Sequence, residues 1–295
     1  MPILRRILVA TDLSAAAHRA VMRAGQLARQ WGSDLFLVHA RPDWKLFARG
    51  RPASHDSYQD IAQSADKPLR EVLADLEAKF GVHARCDSRL GKASNVIAAM
   101  VAEHEPHLVV IGARGEHDSG ETGPCLGGTA LKLLTRFEKP LLLERGATPA
   151  VYTTSLVAVD TASALSRRAV LWGSGLVPGG DCHVVHAYEL PYVERMRLGG
   201  VTEAVIDGRM RQAHEEATTT AQEVLGAAQD AARVHRHTAR GEPVATVLAE
   251  ITRYAPQLVV IGKRGPQAPQ VQQGVMGGVG FRIAYHAPVD VLIIS

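Results

Sequence analysis

Leu108-Val109-Val110-Ile111-Gly112-Ala113-Arg114-Gly115 returns later in the chain as Leu258-Val259-Val260-Ile261-Gly262-Lys263-Arg264-Gly265. Two further stretches repeat in the same order. Ile7-Leu8-Val9-Ala10-Thr11-Asp12 returns as Leu156-Val157-Ala158-Val159-Asp160, and Leu35-Phe36-Leu37-Val38-His39-Ala40 as Cys182-His183-Val184-Val185-His186-Ala187. The separations stay between 147 and 150 residues. So long and constant a period is the mark of a duplicated domain, not of a solenoid of short units. The expected domains are 1–146 and 152–295, joined by a short linker carrying Gly146, Thr148 and Pro149.

The repeated stretches are strands. Four of the five in the first half, near 6–11, 34–40, 107–112 and 140–144, are nearly continuous apolar runs, as expected of parallel strands buried on both faces. The remaining one, near 82–88, alternates with polar residues and reads as an edge strand. Helical patterns lie between them. Val21, Ala24, Leu27, Ala28 and Trp31 recur at helical spacing over 15–31, with Ser14 as a plausible N-cap. Leu69, Val72, Leu73, Leu76 and Phe80 mark a second helix that leaves through Gly81, and Val96, Ile97, Met100 and Val101 a third. A fourth follows Gly127-Gly128 with Leu133, Leu134 and Phe137. The second half repeats this, with strands near 155–160, 182–187, 234–240, 257–262 and 289–294. Segments 41–66 and 188–215 match poorly and read as long connections over the strand ends, the second turning helical. Strand–helix alternation predicts a parallel sheet with right-handed crossovers and helices on both faces.

Composition excludes several classes. The 295 residues carry a net charge of +3 and 5% aromatic residues, which argues against nucleic acid and against an anionic membrane surface. No apolar run has the length of a membrane span, and no signal peptide is expected. Cys86, Cys125 and Cys182 are three in number and far apart, so a reducing compartment, the cytoplasm, is the expectation.

In an open parallel sheet, ligands sit beyond the carboxyl ends of the strands where the winding reverses. Thr11-Asp12 and Asp160 close the first strand of each repeat. Gly112, Arg114 and Gly115, and later Gly262 and Gly265, follow the fourth. Gly128-Thr129 and Gly278-Val279 then open a helix. Glycines let the backbone approach a phosphate, and a helix N-terminus offers free amides and a positive dipole end. The alternative role of Asp12 and Asp160 is to cap the following helix, and Arg114, Lys263 and Arg264 could be phosphate-attracting or simply solvated. His39 and His186 read as hydrogen-bonded core or rim histidines, and His235 and His237 as exposed on an edge strand. Cys125 reads as a small loop residue. No metal ligand set, catalytic triad, nucleophile elbow or Walker loop emerges.

These motifs, with Gly91 before the third helix, make the chain similar to a tandem member of the universal stress protein family. The resemblance covers nearly all of it. It implies two five-stranded parallel α/β sandwiches of strand order 3-2-1-4-5, Rossmann-like and similar to the adenine nucleotide alpha hydrolases. It also implies adenine and ribose near Thr11, Asp12 and Ala40, with phosphates at Gly112, Gly115, Gly128 and Thr129. Asp160, Ala187, Gly262, Gly265 and Gly278 are the counterparts in the second repeat.

Three features depart from the family's Gly-x2-Gly-x9-Gly-Ser/Thr. Twelve residues, not nine, separate Gly115 from Gly128, and the same spacing separates Gly265 from Gly278. The first loop carries Glu116, Asp118 and Glu121, and Val279 stands where a hydroxyl is expected. The expectation is a stress-response protein of regulatory or protective kind that takes ATP or another adenine nucleotide, mainly in the first repeat. Two alternatives stand beside it: a slow hydrolase or nucleotidyl transferase with Mg²⁺ held by Asp12 or the acidic loop, and a nucleotide-free interaction module. The apolar final strands, Leu141–Leu143 and Val291–Ile294, are expected to pair as an internal pseudo-dimer, with a homodimer left open.

Overall fold

The computed structural model describes residues 4–41, 55–115, 126–146, 150–226, 233–263 and 278–295, with side chains from residue 67 onward in the helix that begins at His55. Two compact units divide the chain, Ile3–Val151 and Tyr152–Ser295. The first runs β1 (Arg6–Thr11), α1 (Ala15–Trp31), β2 (Asp34–Arg41), α2 (His55–Phe80), β3 (Ala84–Leu90), α3 (Ala93–His104), β4 (Leu108–Gly112), α4 (Gly128–Arg136) and β5 (Leu141–Glu144). The second runs β6 (Thr154–Val159), α5 (Ala164–Gly175), β7 (Asp181–Tyr188), α6 (Val193–Leu198), α7 (Glu203–Leu225), β8 (Arg233–Arg240), α8 (Pro243–Tyr254), β9 (Leu258–Gly262), α9 (Gly278–His286) and β10 (Asp290–Ile294).

Strand order in the first unit is β3-β2-β1-β4-β5, and in the second β8-β7-β6-β9-β10. Every pairing within each unit is parallel. This is the 3-2-1-4-5 order, made twice. Ile7, Leu8, Val9, Leu108, Val109 and Val110 are all fully buried. Continuous apolar strands are required here because helices cover both faces. β3 and β8 lie at an edge, and their polar, alternating residues suit that place.

Helix α1 has both ends written in the sequence. Ser14 Oγ accepts from the Ala17 amide at 3.1 Å, and Gly32, left-handed at φ 61°, turns its N–H back to the Ala28 carbonyl. Helix α2 differs from expectation. It begins at His55, inside the stretch read as a connection, and carries Pro68 within it. Tyr58, Ile61, Ala62 and Ala65 recur at helical spacing before Leu69, a short stripe outweighed in the sequence reading by Pro42, Pro52 and the polar residues of the stretch. Strand β3 starts two residues later than expected, because its register with β2 runs from Leu35↔Ala84 to Arg41↔Leu90.

Of the two described cysteines, Cys182 is buried in β7 and Cys86 is exposed in β3. Burial pushes the Cys182 thiol up to about 11, against a smaller opposing hydrogen bond with Ser155. The thiolate is the nucleophile, so iodoacetamide under native conditions is expected to label Cys86 and spare Cys182. Mass spectrometry of the alkylated protein checks this, and labelling of both at equal rates would contradict it. Cys125 lies outside the described residues.

Candidate functional site

The winding of the first unit reverses between β1 and β4, which opens a crevice at their carboxyl ends. The β1–α1 turn is built by its own side chains. Thr11 Oγ1 accepts from the Leu13 amide at 3.0 Å, and Asp12 Oδ1 accepts from the Ser14 amide at 3.0 Å. Between them Leu13 takes a left-handed φ of 67°, uncommon for a branched residue and held by those flanking bonds. Buried His39 donates its Nδ1–H to the Thr11 carbonyl at 3.0 Å, which ties β2 to the turn. His39 is thus a hydrogen-bonded core residue. Ser14, not Asp12, caps α1, which leaves Asp12 Oδ2 directed elsewhere.

That oxygen meets the loop after β4. A Cβ added at Gly115 would lie 3.1 Å from Asp12 Oδ2, and one at Gly112 would lie 3.0 Å from the Arg114 carbonyl and 3.4 Å from the Ala16 backbone. A side chain at either glycine would require its neighbours to shift. The Gly127 amide then donates to the Ala113 carbonyl at 2.9 Å. This bond holds the start of α4 against the end of β4, whatever path the intervening residues follow. Gly127 gives α4 no side-chain cap, and a Cβ at Gly128 would meet nothing within 4 Å. The start of α4, Gly127 to Ala130, lines the crevice without a side-chain cap, with the positive end of the helix dipole there.

The result is a cleft of about 340 Å³. All eight residues singled out in the first repeat line it: Thr11, Asp12, Ala40, Gly112, Arg114, Gly115, Gly128 and Thr129. Pattern reading missed Val38, Ile97 and Ile111, which add apolar lining, Ala93 at the start of α3, and Lys132, one turn into α4. Lys132 follows Gly128 by four residues, the one signal that could have placed it on the same helix face. Asp12 is the one carboxylate among the described lining residues, beside the cations Arg114 and Lys132. Glu116, Asp118 and Glu121 lie outside the described residues.

The second repeat shares the plan and differs in detail. Asp160 and Gly262 again end or follow the central strands, Ala187 lies in β7, and Gly278 opens α9; Gly265 and Arg264 fall outside the described residues. Its first turn is one residue longer. Thr161 Oγ1 and Ser166 Oγ donate to Asp160 Oδ1 at 3.2 and 3.4 Å, and Ser163 caps α5. No left-handed residue is needed there. Burial lowers the His186 pKa, opposed by Asp160 and the Val159 carbonyl. Lys263, which could have been a solvated charge, is 1% exposed. Its place at the end of a central strand, under cover, overturns the solvated reading.

At the opposite, amino end of β7 and β8 lies a ring stack that pattern reading did not assemble. His183 pairs in register with His235, its Nδ1 lies 3.0 Å from His237 Nε2, and the Tyr254 ring stacks on it at 4.1 Å. Tyr254 Oη lies 3.1 Å from His237 Nδ1. Asp181 accepts from His235 at 2.8 Å and from Arg233 at 2.9 and 2.7 Å, and the guanidinium holds its carboxyl well below the usual range. His235 is exposed, as expected, but His237 is half-buried within the stack. Among the described residues no group of three or more His, Cys, Asp or Glu is arranged to hold a metal. In the first repeat a single pair takes its place, with Phe36, the counterpart of His183, stacked on His104 at 4.3 Å.

Burial, then His237 and His235, pushes the His183 pKa down to about 4. A histidine whose folded pKa lies below its unfolded value of about 6.5 must lose a proton to fold, so it opposes folding once the medium is acid. Stability is therefore expected to be complete above pH 6.5 and to decline as pH falls toward 4. His183→Phe, which copies the first repeat, should flatten that decline. Thermal midpoints of both proteins between pH 7 and pH 4 check this; parallel curves would contradict it.

The profile of the universal stress protein family matches residues 4–145 and again 152–295. Among solved structures, a universal stress protein from Archaeoglobus fulgidus DSM 4304 superposes with a TM-score of 0.68 at 19% identity, covering 98% of both chains. A protein from Pseudomonas aeruginosa UCBPP-PA14 gives 0.63 at 19% identity, over 99% of this chain and 93% of the other. One of unknown function from P. aeruginosa PAO1 gives 0.61 at 20% identity, over 99% and 92%. No curated protein matches significantly. At these identities the structural likeness speaks for the fold alone, while the two profile matches span nearly the whole sequence: the chain belongs to the universal stress protein family, and carries its domain twice.

Proposed function

We propose that the first repeat binds an adenine nucleotide, ATP foremost, and that this occupancy governs a regulatory or protective role in the cytoplasm under stress. The observation that carries the reading is the cleft itself. Its apolar lining, with Val38, Ala40, Ile97 and Ile111, suits a purine ring. The Asp12 carboxylate among the lining residues would accept from a ribose hydroxyl. The uncapped amides of α4, with Thr129, suit phosphate oxygens. A volume of about 340 Å³ falls within the usual range for small-molecule sites.

Asp12 could also hold Mg²⁺ on a bound triphosphate, since that ion takes few protein carboxylates and completes its shell with phosphate oxygens and water. Among the described residues no helix is long and apolar enough to cross a membrane. The test is native mass spectrometry of the intact chain purified without added nucleotide, then titrated with ATP. A mass increment of one adenine nucleotide per chain is expected. Absence of any increment at millimolar ATP would overturn the reading.

A further inference from the structure

The two repeats differ in charge at equivalent helix starts, with Lys92 as the N-cap of α3 and Glu242 as that of α8. Lys132 in α4 corresponds to Arg282 in α9, 150 residues later. Arg282 is engaged: its Nη1 donates to Glu242 Oε1 at 3.1 Å. Glu242 is also the N-cap of α8, where its other carboxylate oxygen accepts from the Ala245 amide at 2.8 Å. That amide, with Arg282 as a lesser cause, holds the Glu242 carboxyl below its ordinary value. The corresponding N-cap of α3 is Lys92, which makes no capping bond. No described carboxylate pairs with Lys132.

Two further differences run the same way. Helix α8 begins with Pro243, which has no N–H, where α3 begins with Ala93, whose face lines the first cleft. Val279 stands in place of Thr129. At the second site an anion thus meets one amide fewer, one hydroxyl fewer, a cation already paired and an added carboxylate. At the first site Gly128 and Lys132 share a face of α4. A phosphate chain leaving the helix N-terminus along that face reaches the Lys132 ammonium one turn on.

We propose that Lys132 is the specificity-determining residue of the first cleft, selecting ligands that carry phosphate beyond the α-phosphate, and that the second repeat is closed to polyphosphates by its Glu242–Arg282 pair. This rests on the nucleotide reading of the same cleft. The ligand class is a linear nucleoside di- or triphosphate, and one such molecule binds per chain.

Calorimetry with ATP, ADP, AMP and adenosine on the intact wild-type chain and on Lys132→Met tests it. Wild type should bind ATP and ADP more tightly than AMP. Lys132→Met should lose about tenfold in affinity for ATP and ADP, the scale of one charge-assisted hydrogen bond. AMP and adenosine should be unchanged, and Lys132→Arg should restore the preference. Far-UV circular dichroism confirms that the variants fold. If Lys132→Met keeps the ATP-to-AMP ratio of wild type, the inference fails while the nucleotide reading stands. If wild type binds two ATP per chain, the claim about the second repeat fails. If neither adenosine nor any nucleotide binds, the nucleotide reading itself fails, and this inference with it.

Discussion

Replacing Gly128 by aspartate is expected to weaken ATP binding about a hundredfold while leaving the fold as stable as before, or slightly more so. The two effects have opposite signs for one reason. Gly128 is the first residue of α4, and a Cβ there meets nothing within 4 Å, so the side chain is accommodated. A carboxylate at a helix N-terminus interacts favourably with the dipole, by roughly 0.3–1 kcal/mol. Phosphate seeks the same amides. The introduced charge would occupy them, pair with Arg114 and Lys132 across the cleft, and repel what remains of the ligand. Two unit charges 4 Å apart near a surface interact by about 4 kcal/mol, so a net loss of about 2.7 kcal/mol, or a hundredfold, is moderate. Calorimetry and a thermal melt check the two signs separately. Unchanged affinity would place the phosphates elsewhere, and a lowered midpoint would mean the variant damaged the helix instead of the site.

Gly180→Ala is expected to produce the largest loss of stability in the second repeat. Gly180 precedes β7 where three backbone segments meet. Its N–H donates to the Val177 carbonyl at 2.9 Å, its carbonyl accepts from Arg233 at 2.8 Å, and the next amide, of Asp181, donates to the Thr153 carbonyl at 2.9 Å. A Cβ at Gly180 would lie 2.1 Å from that Thr153 oxygen and 2.8 Å from its carbon. These obstacles are backbone, so no rotamer change relieves them. β7 would have to move away from the residue that leads into β6, at the cost of the hydrogen bonds at its start. A loss of about 3 kcal/mol or more is expected, larger than ordinary overpacking. In a two-domain chain this corresponds to a fall of about 5–10 °C in the thermal midpoint. An unchanged midpoint would contradict the tight approach described here.

The fold was largely legible because its requirements are written in types of residue. Parallel strands covered on both faces need unbroken apolar runs, so Leu108–Ile111 and Leu258–Ile261 announced themselves, twice. The ends of α1 were marked by Ser14 and by the last apolar position at Trp31. Where burial is partial the signal fades. β3, at an edge, carries polar residues that do not mark its limits, and it was placed two residues early. The first turns of α2 do carry Tyr58, Ile61, Ala62 and Ala65 at helical spacing, but among polar residues and after Pro42 and Pro52, so the stretch reads as a connection.

The site divides in the same way. Its backbone part was readable, since glycines and a helix start have few other uses at the end of a buried strand. Lys132 was not readable. A lysine on a short amphipathic helix looks like any solvated charge until the Gly127–Ala113 bond brings α4 to the end of β4. The exchange of Lys92 for Glu242 is visible in the sequence, but its meaning depends on the bond from Arg282. The histidine stack was hidden because His183 is more than fifty residues from His235, and only the register of β7 with β8 brings them together.

The most direct measurement is a crystal structure of the intact chain grown with ATP. Difference density for the purine beside Ala40 and Ile111, with phosphates at the amides of Gly128 and Thr129, is the expected result. A first cleft filled by the chain's own residues 116–125, with no nucleotide in it, would contradict the account.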